Sequence, residues 1–126
     1  MKRIFSFLTV LILAVACSKN TTTDKDTELP VIIIISPLNN QNFTNGQTVT
    51  ISGSITDNKI IAEVHIHITD VVTAIKYLDV HLFPTSGYTS FSQNFTVSAG
   101  INYKIQVIAT DRSVNQSTSS VQISCN

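Results

Sequence analysis

Residues 103–111 read Tyr-Lys-Ile-Gln-Val-Ile-Ala-Thr-Asp, and this stretch decides the fold of the chain. Successive side chains of a strand point to opposite faces, so one face of this stretch carries only Tyr103, Ile105, Val107 and Ala109. Turn-forming residues flank it, at 99–102 on one side and 111–115 on the other. The stretch therefore predicts a central strand with one face in the core.

The same alternation recurs along most of the chain. Residues 48–56, 60–69 and 75–83 each place apolar side chains at every second position. Shorter apolar patterns mark strands before residue 97 and at residues 119–125. With residues 31–35 and 103–111 these make seven strands and no convincing helix. The sequence predicts an all-β fold, a seven-stranded antiparallel sandwich with Greek-key connections.

Residues 31–35, Val-Ile-Ile-Ile-Ile, do not alternate. The prolines at both ends, Pro30 and Pro37, are typical of a first or edge strand. Because both faces are apolar, we expect the outer one to be covered, either by neighbouring loops or by a strand that a partner adds.

The amino terminus has the features of a secretory signal. A basic start is followed by an apolar run that is shorter than the roughly 20 residues of a membrane-spanning helix. Residues 14–17, Ala-Val-Ala-Cys, resemble the lipobox of bacterial lipoproteins, in which the peptide is cut before a cysteine whose thiol is acylated. The resemblance implies a signal peptide at 1–16 and a lipid on Cys17. The alternative is an ordinary cleaved signal and a free Cys17.

The predicted location follows from the same resemblance. Family members held in the inner membrane have Asp after the cysteine, whereas this chain has Ser18, which implies a lipid anchor in the outer membrane of the cell envelope. Residues 17–28 are polar, and we expect them to be a flexible tether. If Cys17 carries lipid, Cys125 has no disulfide partner; without lipid, a bridge between them stays open.

A resemblance to bacterial immunoglobulin-like or cadherin-like domains covers residues 29–126. It is carried by Pro30, Ile32, Pro37, Phe43, Gly46, residues 49–57, residues 109–111 and Asn115, with Tyr103 after Gly100 similar to a tyrosine corner. The resemblance implies a non-catalytic binding, adhesion or structural module. The chain shows no nucleophile elbow and no Gly-rich phosphate loop, so neither an enzyme nor a cofactor is predicted. The formal net charge of +0 gives no basic footprint for nucleic acid.

Histidines form the most pointed candidate site. Strand parity places Glu63, His65 and His67 on one outer face, and Asp79 and His81 on the same face of the next strand. If the register sets His65 opposite His81, the side chains are close enough to share Zn²⁺ or Cu²⁺. Metal binding by His65, His67, Asp79 and His81 is thus the alternative function, and a solvated polar face is the simpler interpretation.

Two further groups of loop residues are candidates. In a sandwich of this topology Asp57 and Asp111 emerge at one end, where cadherin-like domains bind calcium; the simpler interpretation is that each closes its own turn. The loops at the opposite end face away from the tether, and the Asn-rich loop with Asn40, Asn42 and Asn45 is the predicted contact for an unidentified protein or glycan partner.

Overall fold

The computed structural model describes residues 24–126. This part of the chain contains eight strands, which are β1 (Val31–Ser36), β2 (Gln41–Phe43), β3 (Thr48–Thr56), β4 (Ile61–Asp70), β5 (Lys76–Leu82), β6 (Tyr88–Thr96), β7 (Asn102–Asp111) and β8 (Gln116–Cys125). None of its segments is a helix of the length and apolarity needed to cross a membrane. The predicted signal peptide and Cys17 lie outside the described residues.

The strands form two sheets, one in the order β1-β3-β6 and the other in the order β2-β8-β7-β4-β5. The predicted all-β sandwich is confirmed, and β7 is central as its pattern indicated. The eighth strand, β2, has three residues and pairs in parallel with the end of β8. Three residues are too few to show an alternation, which is why the sequence predicted this segment as a loop.

The core lies between the two sheets and is filled by the inward faces of the alternating strands. The side chains of β4 and β7 that face it are fully buried: Val64, Ile66 and Ile68 on β4, and Ile105, Val107 and Ala109 on β7. At about 25 cal/mol per Å² of apolar surface removed from water, burial of these side chains is the main stabilising contribution. Periodicity alone was sufficient to predict this set.

For β1, the structure contradicts cover by neighbouring loops, whereas cover by a strand that a partner adds stays a prediction. Its side chains alternate after all: Ile32 and Ile34 pack against the core, while Val31, Ile33 and Ile35 are 57%, 54% and 63% exposed. Neither a loop nor another strand of residues 24–126 covers them. In any strand, parity turns every second side chain to the outer face of the sheet whatever its chemistry, and no second layer of residues 24–126 lies over this face.

Tyr103 closes the connection between the two sheets. The backbone N–H of Ser98 donates to the Tyr103 phenol oxygen at 2.9 Å, and Tyr103 is 1% exposed. Its ring meets Phe95 and Tyr77 edge-on, each with centroids 5.2 Å apart. This is the arrangement that the resemblance to a tyrosine corner implied.

The two ends of the sandwich differ in their connections. We call the end with loops 57–60, 83–87 and 112–115 the base, and the end with loops 37–47, 71–75 and 97–101 the distal end. Backbone hydrogen bonds join the loops within each end, such as Arg112 to Ile60 at the base and Gly46 to Val97 at the distal end. The chain enters at the base, because β1 starts there.

Candidate functional site

The outward side chains of β4 and β5 form one polar surface. We call it the histidine face, and its members are Glu63, His65, His67, Asp79 and His81. The strands pair antiparallel with His65 opposite His81 and His67 opposite Asp79. This is the register that the metal hypothesis needed, and the Asp70–Ala74 turn sets it.

Three of these side chains converge. Asp79 Oδ1 lies 2.5 Å from His65 Nε2 and 3.7 Å from His81 Nε2. The two imidazole rings stack with centroids 4.1 Å apart and an angle of 13° between their planes. His65, Asp79 and His81 thus offer possible ligand atoms within 4.8 Å of one another. Two imidazole nitrogens and a carboxylate oxygen are donors that suit Zn²⁺ or Cu²⁺.

Neighbouring charges hold these side chains in place. Lys76 Nζ donates to Asp79 Oδ2 at 2.6 Å, and Glu63 Oε1 lies 2.5 Å from His81 Nδ1. Hydrogen bonds from Lys76 and then from His65 lower the pKa of Asp79 to about 2. Asp79 is therefore ionised at neutral pH, as a metal ligand must be.

His67 stands apart from the converging group. Its ring centroid is 4.8 Å from that of His65, and its Nδ1 atom is buried without a hydrogen-bond partner among the described residues. Burial, and then the neighbouring His65, lower the pKa of His67. The structure gives His67 no place among the ligand atoms that meet at Asp79.

A second cluster lies at the base. Asp57 and Asp111, which the sequence placed at one end, do meet, and Asp26 joins them with ligand atoms within 4.8 Å of one another. Asp111 is 1% exposed and accepts hydrogen bonds from the Asn115 backbone N–H at 2.7 Å and from Asn115 Nδ2 at 2.8 Å. We call Asp26, Asp57 and Asp111 the acidic base.

Two carboxylate oxygens of the acidic base accept no hydrogen bond from the described residues. Asp57 Oδ1 accepts from the Lys59 backbone N–H at 2.7 Å, which closes the turn. The second oxygens, Asp26 Oδ2 and Asp57 Oδ2, are buried and have no partner in the part of the chain that the structure describes. Desolvation, the largest influence, acts to raise the pKa of Asp26, but hydrogen bonds from Asn58 and the Glu28 backbone outweigh it, and the pKa is lowered. Asp26 therefore favours its charged form at the base.

Sequence reasoning missed Asp26 because it lies in the predicted tether. In the structure Asn115 Nδ2 donates to the Asp26 carbonyl oxygen at 3.1 Å, and Asn58 Nδ2 donates to its carboxylate at 3.2 Å. No local pattern signals a contact between residues 89 positions apart in the chain. The sequence around Asp26 is polar and charged, which predicts a solvated side chain. Only the folded chain brings Asp26 to the base.

The predicted partner-binding asparagines lie at the distal end and are exposed. Each also has a local structural role. Asn40 has a φ of 63°, a conformation that Asn tolerates better than most residues; Asn42 Oδ1 accepts from Ser124 at 3.0 Å; and Asn45 Oδ1 accepts from the Ala99 N–H at 3.1 Å. Their partner contact stays a prediction.

An open cleft beside the acidic base was not predicted. It has a volume of about 460 Å³ and is lined by Asn58, Lys59, Ile60, Gly87, Arg112 and Ser113. Lys59 and Arg112 are the charged residues of its lining. No signal in the sequence joins residues 58–60 to 112–113, because the contact depends on how the base loops pack.

The fold and the two surfaces define a class of protein: a small antiparallel β-sandwich with polar groups on one sheet and at its base. A family model described as a bacterial Ig domain matches residues 30–107. The chain belongs to this bacterial Ig domain family. A comparison with curated proteins returns no match.

Solved structures share the architecture at low sequence identity. A variant of the superoxide reductase (neelaredoxin) from Ignicoccus hospitalis aligns with a TM-score of 0.54 and 10% identity, over 78% of this chain and 80% of that protein. The sulfur carrier protein SoxY from Chlorobium limicola f thiosulfatophilum aligns with a TM-score of 0.49 and 11% identity, over 79% and 81%. The likeness to the reductase shows the sandwich fold alone.

Proposed function

We propose that this chain is a non-catalytic Ig-like module of the bacterial cell envelope, held at the outer membrane by a lipid on Cys17. The sequence Ala-Val-Ala-Cys at 14–17 supports the anchor, and the path of the chain, which reaches the sandwich at the base through Asp26, supports the orientation. Only nine positions separate Cys17 from Asp26. At about 3.3–3.6 Å per extended residue, the base stays within roughly 30 Å of the anchor. The distal end then faces away from the membrane.

Replacement of the cysteine tests the anchor. We expect Cys17→Ala to move the protein from the membrane fraction to the soluble fraction and to abolish incorporation of a labelled fatty acid, because a thiol is the acylated group. The matched control is Cys125→Ala, which should keep both properties, since the Cys125 thiol is buried in the described domain. Fatty-acid label on the Cys17→Ala protein would overturn the proposal.

The distal end is the surface that we propose for a protein or glycan partner, with Asn40, Asn42 and Asn45 in its contact. A photo-crosslinking residue compares the two ends in intact cells. We expect adducts from position 38 at the distal end but not from position 114 at the base, where the native Leu38 and Val114 are 70% and 79% exposed. The two positions are alike in exposure and in apolar character, and they differ only in lying at opposite ends of the sandwich. Adducts from position 114 alone would contradict this orientation.

Calcium binding at the acidic base is a second candidate function. The observation that favours it is the pair of buried oxygens, Asp26 Oδ2 and Asp57 Oδ2, that accept no hydrogen bond from residues 24–126. Carboxylate oxygens are the ligands Ca²⁺ prefers, and amide oxygens and water complete its six to eight positions. An ion there would join Asp26, on the tether, to two loops of the base. It would thereby hold the end of the tether against the base.

A further inference from the structure

We propose that His65 Nε2, His81 Nε2 and Asp79 Oδ1 together bind one divalent transition-metal ion, with Cu²⁺ held more tightly than Zn²⁺. The site lies on the open outer surface of β4 and β5, away from the acidic base and its calcium chemistry. Its donors are two nitrogens and one oxygen, whereas the acidic base offers oxygen alone. Imidazole suits copper and zinc, and carboxylate oxygen suits calcium, so the two sites select different ions.

The backbone predisposes the three donors to meet. His65 and His81 are a directly opposed cross-strand pair, and Cβ atoms of such pairs are about 4.5–5.5 Å apart. Asp79 is two residues before His81 on the same face, and its Oδ1 lies between the two Nε2 atoms, 2.5 Å and 3.7 Å from them. These groups are therefore brought together by two hydrogen-bonded strands rather than by mobile loops.

The distances require only a small adjustment. A tetrahedral Zn²⁺ with bonds of about 2.0–2.1 Å places its ligand atoms roughly 3.3 Å apart, and the square-planar or tetragonal geometry of Cu²⁺ places neighbouring ligand atoms about 2.9 Å apart. The three residues already offer ligand atoms within 4.8 Å of one another. Binding requires the 2.5 Å contact to open, the 3.7 Å separation to shorten and the stacked imidazole rings to tilt toward the ion. It also releases the proton that His65 Nε2 donates to Asp79. The side chains of His65, Asp79 and His81 are 25%, 41% and 44% exposed. Rotation about their terminal torsions is accordingly free of core packing.

The surrounding carboxylate and ammonium orient the donors. Glu63 Oε1 lies 2.5 Å from His81 Nδ1. A carboxylate there favours the tautomer with hydrogen on Nδ1, whose lone pair is on Nε2, the atom that faces Asp79. A carboxylate on the far nitrogen of a ligating histidine is the usual outer-shell arrangement of metal sites. Lys76 binds Asp79 Oδ2 at 2.6 Å and leaves Oδ1 directed at the imidazoles. Solvent or a partner's side chain completes the coordination.

Titration of the protein, purified in detergent without a polyhistidine tag, tests the site. With Cu²⁺ and with Zn²⁺ we expect one ion per chain by calorimetry, with a lower Kd for Cu²⁺ as the Irving–Williams order requires. The electron paramagnetic resonance spectrum of the Cu²⁺ form should show hyperfine splitting from two equivalent nitrogens. No heat with either ion, or a spectrum without nitrogen splitting, would overturn the proposal.

Substitutions locate the ion. His81→Gln should weaken Cu²⁺ binding more than about tenfold and remove one nitrogen from the spectrum, and Glu63→Gln should weaken it about tenfold through the outer shell. The matched control is His67→Gln, which removes a histidine of β4, the strand that carries His65. The geometry places His67 outside the site, so this change should alter the Kd less than threefold. Equal weakening by His67→Gln and His81→Gln would contradict the assignment.

Discussion

Gly53→Ala is expected to destabilise the domain by about 3 kcal/mol. Gly53 lies in β3 and faces the core, where an added Cβ would clash with the Ile33 carbonyl oxygen of β1 and come within 2.5 Å of Phe91 Cζ. The carbonyl belongs to the backbone and cannot rotate away, and the Phe91 ring is 4% exposed. Relief therefore requires β1 to separate from β3. Urea unfolding monitored by circular dichroism measures the free energy of unfolding.

Gly46→Ala is the control for this prediction. Gly46 has a φ of +79°, and an added Cβ there meets nothing within 4 Å. The change therefore costs only the free energy of holding Ala in the left-handed conformation, about 1–2 kcal/mol. Because the melting temperature of a domain of this size falls by about 4–8 °C per kcal/mol, the two variants should melt at clearly different temperatures. A Gly53→Ala protein as stable as Gly46→Ala would show that β1 does not pack against Gly53 as described.

Calcium at the acidic base is expected to raise the melting temperature by about 10 °C when Ca²⁺ is present at about a hundred times its Kd. The folded chain assembles three carboxylates there, and the unfolded chain scatters them, so the ion stabilises the folded state. Differential scanning fluorimetry of the protein in EDTA and in CaCl₂, at constant ionic strength, measures the shift. Mg²⁺ should give a smaller shift, because it demands tighter octahedral geometry.

Asp57→Asn separates this site from the histidine face. It removes one of the two oxygens that lack donors but keeps an acceptor for the Lys59 N–H, so the turn is preserved. We expect this variant to lose most of the calcium shift and to bind Cu²⁺ like the parent protein. His81→Gln should give the opposite result. A shift in CaCl₂ that Asp57→Asn leaves unchanged would remove calcium from the acidic base.

Much of the sandwich could be predicted because its pattern has a period of two. The inward residues of β3, β4 and β7 follow from alternation alone, and the buried Ile51, Ile66 and Val107 are all 0% exposed. Alternation gave less for β1, because its residues are apolar on both faces and none of residues 24–126 covers the outer face. The very short β2 gave no signal, because its place is fixed by the end of β8.

The histidine face was partly predictable for the same reason. Parity placed its five polar side chains outside, but only the register of the hairpin brings His65 to His81 rather than to a neighbouring residue. A shift of one residue would have separated them and turned every side chain of β5 to the other face. His67 satisfies the parity rule as well as His65 does, yet it lies outside the converging group.

The sequence by itself determined that this chain forms an all-β sandwich with alternating faces, because burial of every second side chain is a local, repeated property of the strands. Only the tertiary structure decided which polar groups meet. Asp26 reaches Asn115 across 89 positions, and His65 meets Asp79 across a turn whose length sets the register. Such contacts depend on the paths of separate segments in space, and side-chain periodicity carries no information about them.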